Sequence, residues 1–295
     1  MLKIIDEPAS TASITLNNGL KIPQFGIGTF NSSVQQAHDA VLAALRAGYR
    51  HIDTAHAYQK ERGVGAAVRE SGIPRNEIWI TSKLWPTDYA SGNVEESISK
   101  MLERLGTDYI DLLYLHQPVG DYMAGWRGLE AAVRQGKVRA IGLSNFDLNE
   151  ELFDDVIAKA EIKPAIVQIE LHPYAQRKAF REKCAANNIA VEGWYPLGGT
   201  HGGNAVLFAD PVINEIAGRY GKTPAEIILR WHVQEGFSTI PGSRSEAHIR
   251  QNITVLDFTL SEEDMERIRA LDGEKRFYTG TFESSQRFLE WRPED

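Results

Sequence analysis

The chain has 295 residues, 42% of them hydrophobic, which suffices for a well-buried core in one large α/β domain or two smaller ones. Its 32 Lys and Arg against 40 Asp and Glu give a net charge of -8 and a pI near 5.6, arguing against general nucleic-acid binding, which needs a basic face. The one cysteine, Cys184, excludes an intrachain disulfide or a cysteine-rich metal site. Residues 1–12 lack a basic segment followed by an apolar one, and no later run approaches the ~20 apolar residues of a membrane span, so the expectation is a cytoplasmic protein with no membrane or metal partner.

Residues 13–22, Ser-Ile-Thr-Leu-Asn-Asn-Gly-Leu-Lys-Ile, are two alternating runs about Asn18-Gly19 and predict a tight hairpin that caps something. A helix is predicted from Val34, with Ala37, Val41, Ala44, Leu45 and Gly48 on one face. Strand and helix then alternate. Strands are predicted at 50–54, 78–83, 109–116, 138–144, 165–170, 190–194 and 237–240, and Val94, Ile98, Met101, Leu102 and Leu105 form the clearest helical stripe between them. With residues 25–28 as the first, there are eight strands, each followed by a helix. That count suits a closed (β/α)8 TIM barrel, capped by the N-terminal hairpin and forming one domain over 1–295. An open doubly wound sheet is the alternative, but Gly26-Ile27-Gly28 lacks the third glycine of a dinucleotide fingerprint. Ser261-Glu-Glu-Asp264 predicts a capped helix ending near Gly273. The tail beyond it holds Phe277, Tyr278, Phe282, Phe288 and Trp291, an aromatic density that predicts docking on the barrel.

Two of the predicted strands end in a charge. The segment Tyr-Arg-His-Ile-Asp-Thr-Ala-His-Ala-Tyr (49–58) carries Asp53, and Ile-Trp-Ile-Thr-Ser-Lys (78–83) carries Lys83. A lone charge at the end of a core strand costs several kcal/mol of desolvation, so the two are expected to pair. With Tyr58 beside them the site would hold a phenol next to a cation, a proton donor of lowered pKa. Parallel strands gather their C-terminal ends at one mouth, where His116, Ser144, Asn145, Gln168, Glu170 and Trp194 would also lie. Singly, each has a plain reading: Asp53 as a helix N-cap, Lys83 as a solvated strand end, His116 as a core histidine. Their convergence points to function.

These residues identify the chain as resembling the aldo-keto reductases over nearly its whole length. The shared motifs are Asp53-Thr-Ala-x-x-Tyr58 with Glu61, Lys83 after Ile-Thr-Ser, Leu115-His116, Gly142-Leu-Ser-Asn-Phe146, Gln168-x-Glu-x-His-Pro173 and Pro196-Leu197-Gly198. The resemblance implies reduction of an aldehyde or ketone by NADH or NADPH. It implies Tyr58 as general acid, Asp53 and Lys83 as the pair that tunes it, and His116 as the group orienting the carbonyl oxygen. Ser144, Asn145 and Gln168 match positions that hold the nicotinamide carboxamide, and Trp194 matches the aromatic that stacks on the ring, where tyrosine is commoner. Pro196, Leu197 and Gly198 open a glycine-rich loop suited to a pyrophosphate, and Ile240, Gln251 and Asn252 complete the cofactor set.

Two departures from the family pattern matter. A lysine and an arginine that usually grip the 2′-phosphate of NADPH are replaced by Gly242 and His248, although Ser243 and Arg244 remain. Each charge-assisted bond is worth ~1.5 to 3 kcal/mol, so NADH is expected to be used well. Ser243 to Glu246 also reads as a capping box opening a short helix. Gln59-Lys60, beside Tyr58, stands where Gly-Asn is common. Phe30, Trp85 and Trp126, with Phe277 and Tyr278, are expected to wall the substrate pocket alongside His116. Within the family the chain is most similar to small bacterial members of the 2,5-diketo-D-gluconate reductase kind. A monomer or weak oligomer is expected. The rival functions are a Schiff-base lyase or aldolase acting through Lys83 and a nucleotide-binding barrel without turnover.

Overall fold

Each short apolar run becomes a strand because its side chains alternate between two buried layers, the barrel interior and the helical jacket. The computed structural model describes residues 12–90 and 92–294; residues 1–11, on which the expectation of no leader segment falls, lie outside the described residues. A two-stranded hairpin, β1 (Ser13–Thr15) and β2 (Lys21–Pro23), precedes eight parallel strands. These are β3 (Ile27–Gly28), β4 (His51–Asp53), β5 (Trp79–Leu84), β6 (Ile110–Leu115), β7 (Val138–Ser144), β8 (Ile166–Glu170), β9 (Ala190–Trp194) and β10 (Ser238–Thr239), hydrogen-bonded in sequence order. Around the seam Phe25 bridges Thr239 and Gly28 bridges Gly242, with the Gly26 N–H donating to Thr239 O at 2.9 Å and the Thr239 N–H to Gln24 O at 2.9 Å. The sheet is therefore closed, and the open-sheet alternative fails.

The jacket comprises α1 (Val34–Arg46), α2 (Glu61–Glu70), α3 (Val94–Leu105), α4 (Tyr122–Arg134), α5 (Glu150–Lys159), α6 (Lys178–Ala186), α7 (Asn204–Phe208), α8 (Pro211–Tyr220), α9 (Pro224–Gln234), α10 (Glu246–Ile253), α11 (Glu262–Arg269) and α12 (Phe282–Ser285). Their apolar stripes meet the outer faces of the strands: Val41 and Leu45 of α1 and Ile98, Met101 and Leu105 of α3 are buried in the main core. Ser33, with Gln36, forms a capping box on α1, and Ser261 caps α11. The cap of α10 is Ser245, whose hydroxyl accepts from the His248 N–H; Ser243 instead accepts from the Ser245 N–H, so the predicted box from Ser243 to Glu246 is displaced. No helix among the described residues is long and apolar enough to cross a membrane.

The hairpin plugs the end of the barrel where the strands begin. Leu16 and Ile22 are buried with Trp79, Leu112, Tyr114 and Ile166, and Asn17 Nδ2 donates to Pro164 O at 2.8 Å. Its turn differs from the simplest Asn-Gly turn: of that pair only Gly19 has a positive φ, and its N–H donates to Leu16 O, a three-residue loop. Gly142 leaves room for an unusual crossing of the barrel interior. A Cβ there would lie 2.6 Å from the ring of Tyr114, whose hydroxyl reaches across to Glu192 Oε1 at 3.1 Å. The other end of the barrel is left to the strand termini and the tail.

Candidate active site

Strand geometry brings Asp53, Lys83 and His116 to this open end. The Lys83 ammonium, fully buried, donates to Asp53 Oδ1 at 2.6 Å, Asp53 Oδ2 at 2.7 Å and Thr54 O at 2.9 Å. It lies 5.1 Å from the centre of the Tyr58 ring, which the short turn His56–Tyr58 sets above it. The Tyr58 ring meets His116 edge-on at 5.7 Å, and Trp85 meets His116 from another side at 5.3 Å. The four residues predicted to be catalytic thus form one contiguous group.

The charges follow from burial and neighbours. Burial disfavours the Lys83 ammonium, but Asp53 and Tyr58 outweigh it and hold Lys83 above the usual lysine range, fully protonated. Burial, followed by the charges of Lys83 and His56, keeps His116 well below its ordinary 6.5, so it is a neutral imidazole at physiological pH. Tyr58 corrects the sequence reading. Burial pushes the phenol up to about 12 even though the Lys83 ammonium pulls it down. Desolvation exceeds the cation's effect, so the phenol is firmly protonated and Lys83 only limits how reluctant a donor it is.

These groups open on a cleft of about 950 Å³. Of the residues predicted to bind cofactor, Ser144, Asn145, Gln168, Trp194, Pro196, Leu197, Ile240, Gly242, Ser243, Arg244, His248, Gln251 and Asn252 all line it, as do Phe30 and Trp85 from the substrate set. Asn145 Nδ2 donates to His116 O at 2.9 Å, and its Oδ1 accepts from Trp194 Nε1 at 3.0 Å, tying the aromatic platform to the floor. Gln168 Nε2 donates to Asp53 Oδ2 at 2.8 Å and to Glu192 Oε1 at 2.6 Å. Because both partners are carboxylates, the amide must keep its NH2 turned inward and its carbonyl toward the cleft. The wall suits an elongated anionic dinucleotide: it offers an aromatic platform, an amide-bearing floor, and, at the Gly242 end, Arg244 with no acidic partner among the described residues.

Three expectations fall elsewhere. Trp126 is fully buried inside α4, packed in the main core, and is not a wall of the cleft; helical periodicity in the sequence does not say which neighbour an aromatic face meets. Gly198 turns the chain at φ 82 beside the rim, and Gly199 lines it instead. Phe277 packs on His172 at 4.6 Å, whereas Tyr278 does reach the cleft. Sequence reasoning missed Glu192, buried at the centre of the barrel, and Tyr195, Asn204 and Arg287 on the wall. Tyr195 adjoins the stacking residue in the motif and could have been found from that adjacency. Glu192, in the middle of a strand, gave no signal.

The tail docks as expected. Trp85 Nε1 donates to Phe288 O at 3.1 Å and Trp291 O at 2.9 Å, so residues 288–291 close one side of the mouth.

The model of the aldo/keto reductase family matches residues 23–273. The chain is 40% identical over 265 residues to a 9,11-endoperoxide prostaglandin H2 reductase of Trypanosoma cruzi, covering 89% of this chain and 92% of that protein. It is 41% identical over 266 residues to a glyoxal reductase of Bacillus subtilis, covering 90% and 94%. Among solved structures it is similar to an aldo-keto reductase from a Medee basin deep-sea metagenome library, with TM-score 0.88, 39% identity, and coverage of 92% of this chain and 98% of that one. A Bombyx mori aldo-keto reductase in complex with NADP aligns with TM-score 0.84 and 33% identity over 90% and 94%.

Proposed function

Since the chain belongs to the aldo/keto reductase family and is an NAD(P)H-dependent carbonyl reductase, we propose that Tyr58, His116, Lys83 and Asp53 are the residues that carry the reaction in this protein. The observation that supports this is the sealed ion pair: an ammonium wholly removed from solvent, tied to Asp53 and directly beneath the Tyr58 ring. The nicotinamide cofactor supplies the hydride, which forms the new C–H bond at the carbonyl carbon. Tyr58 gives its hydroxyl proton to the oxygen, so aldehyde or ketone becomes alcohol. Neutral His116 donates a hydrogen bond to that oxygen as negative charge grows on it. Lys83 stabilises the phenolate left on Tyr58, and Asp53 keeps Lys83 charged and in place. Ser144, Asn145 and Gln168 would hold the carboxamide, and Trp194 would support the ring. The Schiff-base reading has no support, because a lysine clasped by Asp53 stays protonated and is not nucleophilic.

The replacement of the two expected cations by Gly242 and His248 supports use of NADH at least as good as that of NADPH. Both positions border the cleft, as does the neighbouring Arg244. A single barrel domain acting in the cytoplasm as a monomer or weak oligomer fits the lone buried Cys184. The names of the relatives, glyoxal and prostaglandin H2 reductases, suggest screening small dicarbonyls and bulky ketones first. The test is kcat/KM for NADH and NADPH with the best carbonyl from that screen. Comparable or higher values with NADH are expected, and a ratio above roughly ten in favour of NADPH, the scale of one charge-assisted bond, would overturn the cofactor reading.

A further inference from the structure

The barrel-side anchor of the C-terminal tail is one carboxylate. Glu170 ends β8, is fully buried, and stands in register beside Trp194. Its Oε2 accepts from Arg276 Nε at 2.8 Å. Its Oε1 accepts from the backbone N–H groups of Phe277 at 2.7 Å and Tyr278 at 3.0 Å, and His172 Nε2 lies at 3.2 Å. Arg276 also faces buried Asp147 at 3.7 Å, so the turn at 276–278 is drawn into the barrel mouth by charge and not by apolar packing alone.

That turn meets the cofactor cleft at Trp194 and covers the glycine-rich loop beside its rim. Tyr278 meets Trp194 edge-on at 5.6 Å. Phe277 covers the glycine-rich loop so closely that a Cβ on Gly203 would lie 2.6 Å from its ring and 2.2 Å from Gly198 O. A cation, two backbone N–H groups and two aromatic rings are thus positioned by one side chain that the reaction itself does not use.

We propose that Glu170 is a positioning residue for the dinucleotide: by clasping residues 276–278 it holds Tyr278 against Trp194 and Phe277 over Gly203, and this clasp governs how slowly the cofactor leaves. The inference rests on the reading that the cofactor lies along Trp194 and the glycine loop. Glu170→Gln keeps the shape but turns an NH2 group toward either Arg276 or the two backbone N–H groups, so at least one arm of the clasp becomes repulsive. Losing one charge-assisted arm should speed cofactor dissociation roughly ten-fold, since affinity changes in related complexes fall mainly on the off-rate.

The experiment is stopped-flow release of NADH and NADPH, followed by tryptophan fluorescence in wild type, Glu170→Gln and Phe277→Ala. It is paired with the KM of the carbonyl substrate at saturating cofactor. Faster release in both variants with an unchanged substrate KM is expected, and a release rate within two-fold of wild type in both would overturn the proposal. If Glu170→Gln fails to fold, Phe277→Ala and Tyr278→Ala carry the test, because both leave the carboxylate and its hydrogen bonds in place. Failure of wild type to bind either dinucleotide or to reduce any carbonyl would instead sink the underlying reading.

Discussion

Removing the Lys83 ammonium should damage stability and catalysis by separable amounts. In Lys83→Met the fully buried Asp53 loses both of its short ion-pair contacts and keeps Gln168 as donor from 2.8 Å. Burial and the nearby Glu192 charge already hold Asp53 above the usual carboxylate range, so without the cation it must either stay charged and unpaired or take up a proton. Breaking a buried pair by removing one partner costs ~3 to 5 kcal/mol, and chemical denaturation should show a loss of that order. Adding Asp53→Asn removes the stranded charge, so the double variant should recover part of the loss instead of adding to it. Turnover should not recover. The Tyr58 phenol, at about 12 with Lys83 present, would rise further, and each pKa unit is worth ~1.4 kcal/mol against proton donation, so kcat should fall by ~10² or more in both variants. A single variant destabilised by under ~1 kcal/mol, strictly additive losses in the double variant, or near-native turnover would refute the reasoning.

His248→Arg, on the exposed side of α10 facing the cleft, should lower the KM for NADPH by roughly ten-fold and leave NADH unchanged; steady-state kinetics with both cofactors would show it, and an equal effect on both would contradict the assignment of that position to the 2′-phosphate. Buried His232 has no hydrogen-bond partner on either ring nitrogen among the described residues, and burial, with the neighbouring His172 and Arg181 charges, lowers it to about 3. The unfolded chain therefore binds this proton first, below about 6.5, and the folded state loses ~1.4 kcal/mol of stability per pH unit at this site as pH falls from 6.5 towards 3. His232→Leu should raise stability at neutral pH by ~1 kcal/mol and flatten the acid slope by one proton, as measured by denaturation across pH 5 to 7; an unchanged slope would count against it.

Much of this architecture was visible in residue order. Alternating β-branched runs bounded by helices placed all eight barrel strands within a residue or two, because a parallel strand buried on both faces leaves a short apolar run that a helix does not. Charges at strand ends announced the mouth, since Asp53 and Lys83 had no cheaper way to be buried than together. Features that depend on distances across the fold were not visible. The sign of the Tyr58 shift turns on how much water its ring loses, which no spacing encodes. Trp126 carries the same helical signature whether its face meets core or cleft. The choice between Ser243 and Ser245 as cap depended on a local turn that both serines could have made. Glu192, held by Tyr114, Gln168 and Ser238 from three different strands, could be recognised only once the barrel closed.

The most direct test of the assigned roles is Tyr58→Phe, which removes one oxygen from a half-buried ring and leaves the Lys83–Asp53 pair and the Trp194 platform untouched. Carbonyl reduction and the quenching of tryptophan fluorescence by the reduced cofactor should be measured on the same sample. Turnover lower by ~10² to 10⁴ with binding within a few-fold of wild type is the predicted result. Turnover within ten-fold of wild type would show that the proton comes from elsewhere.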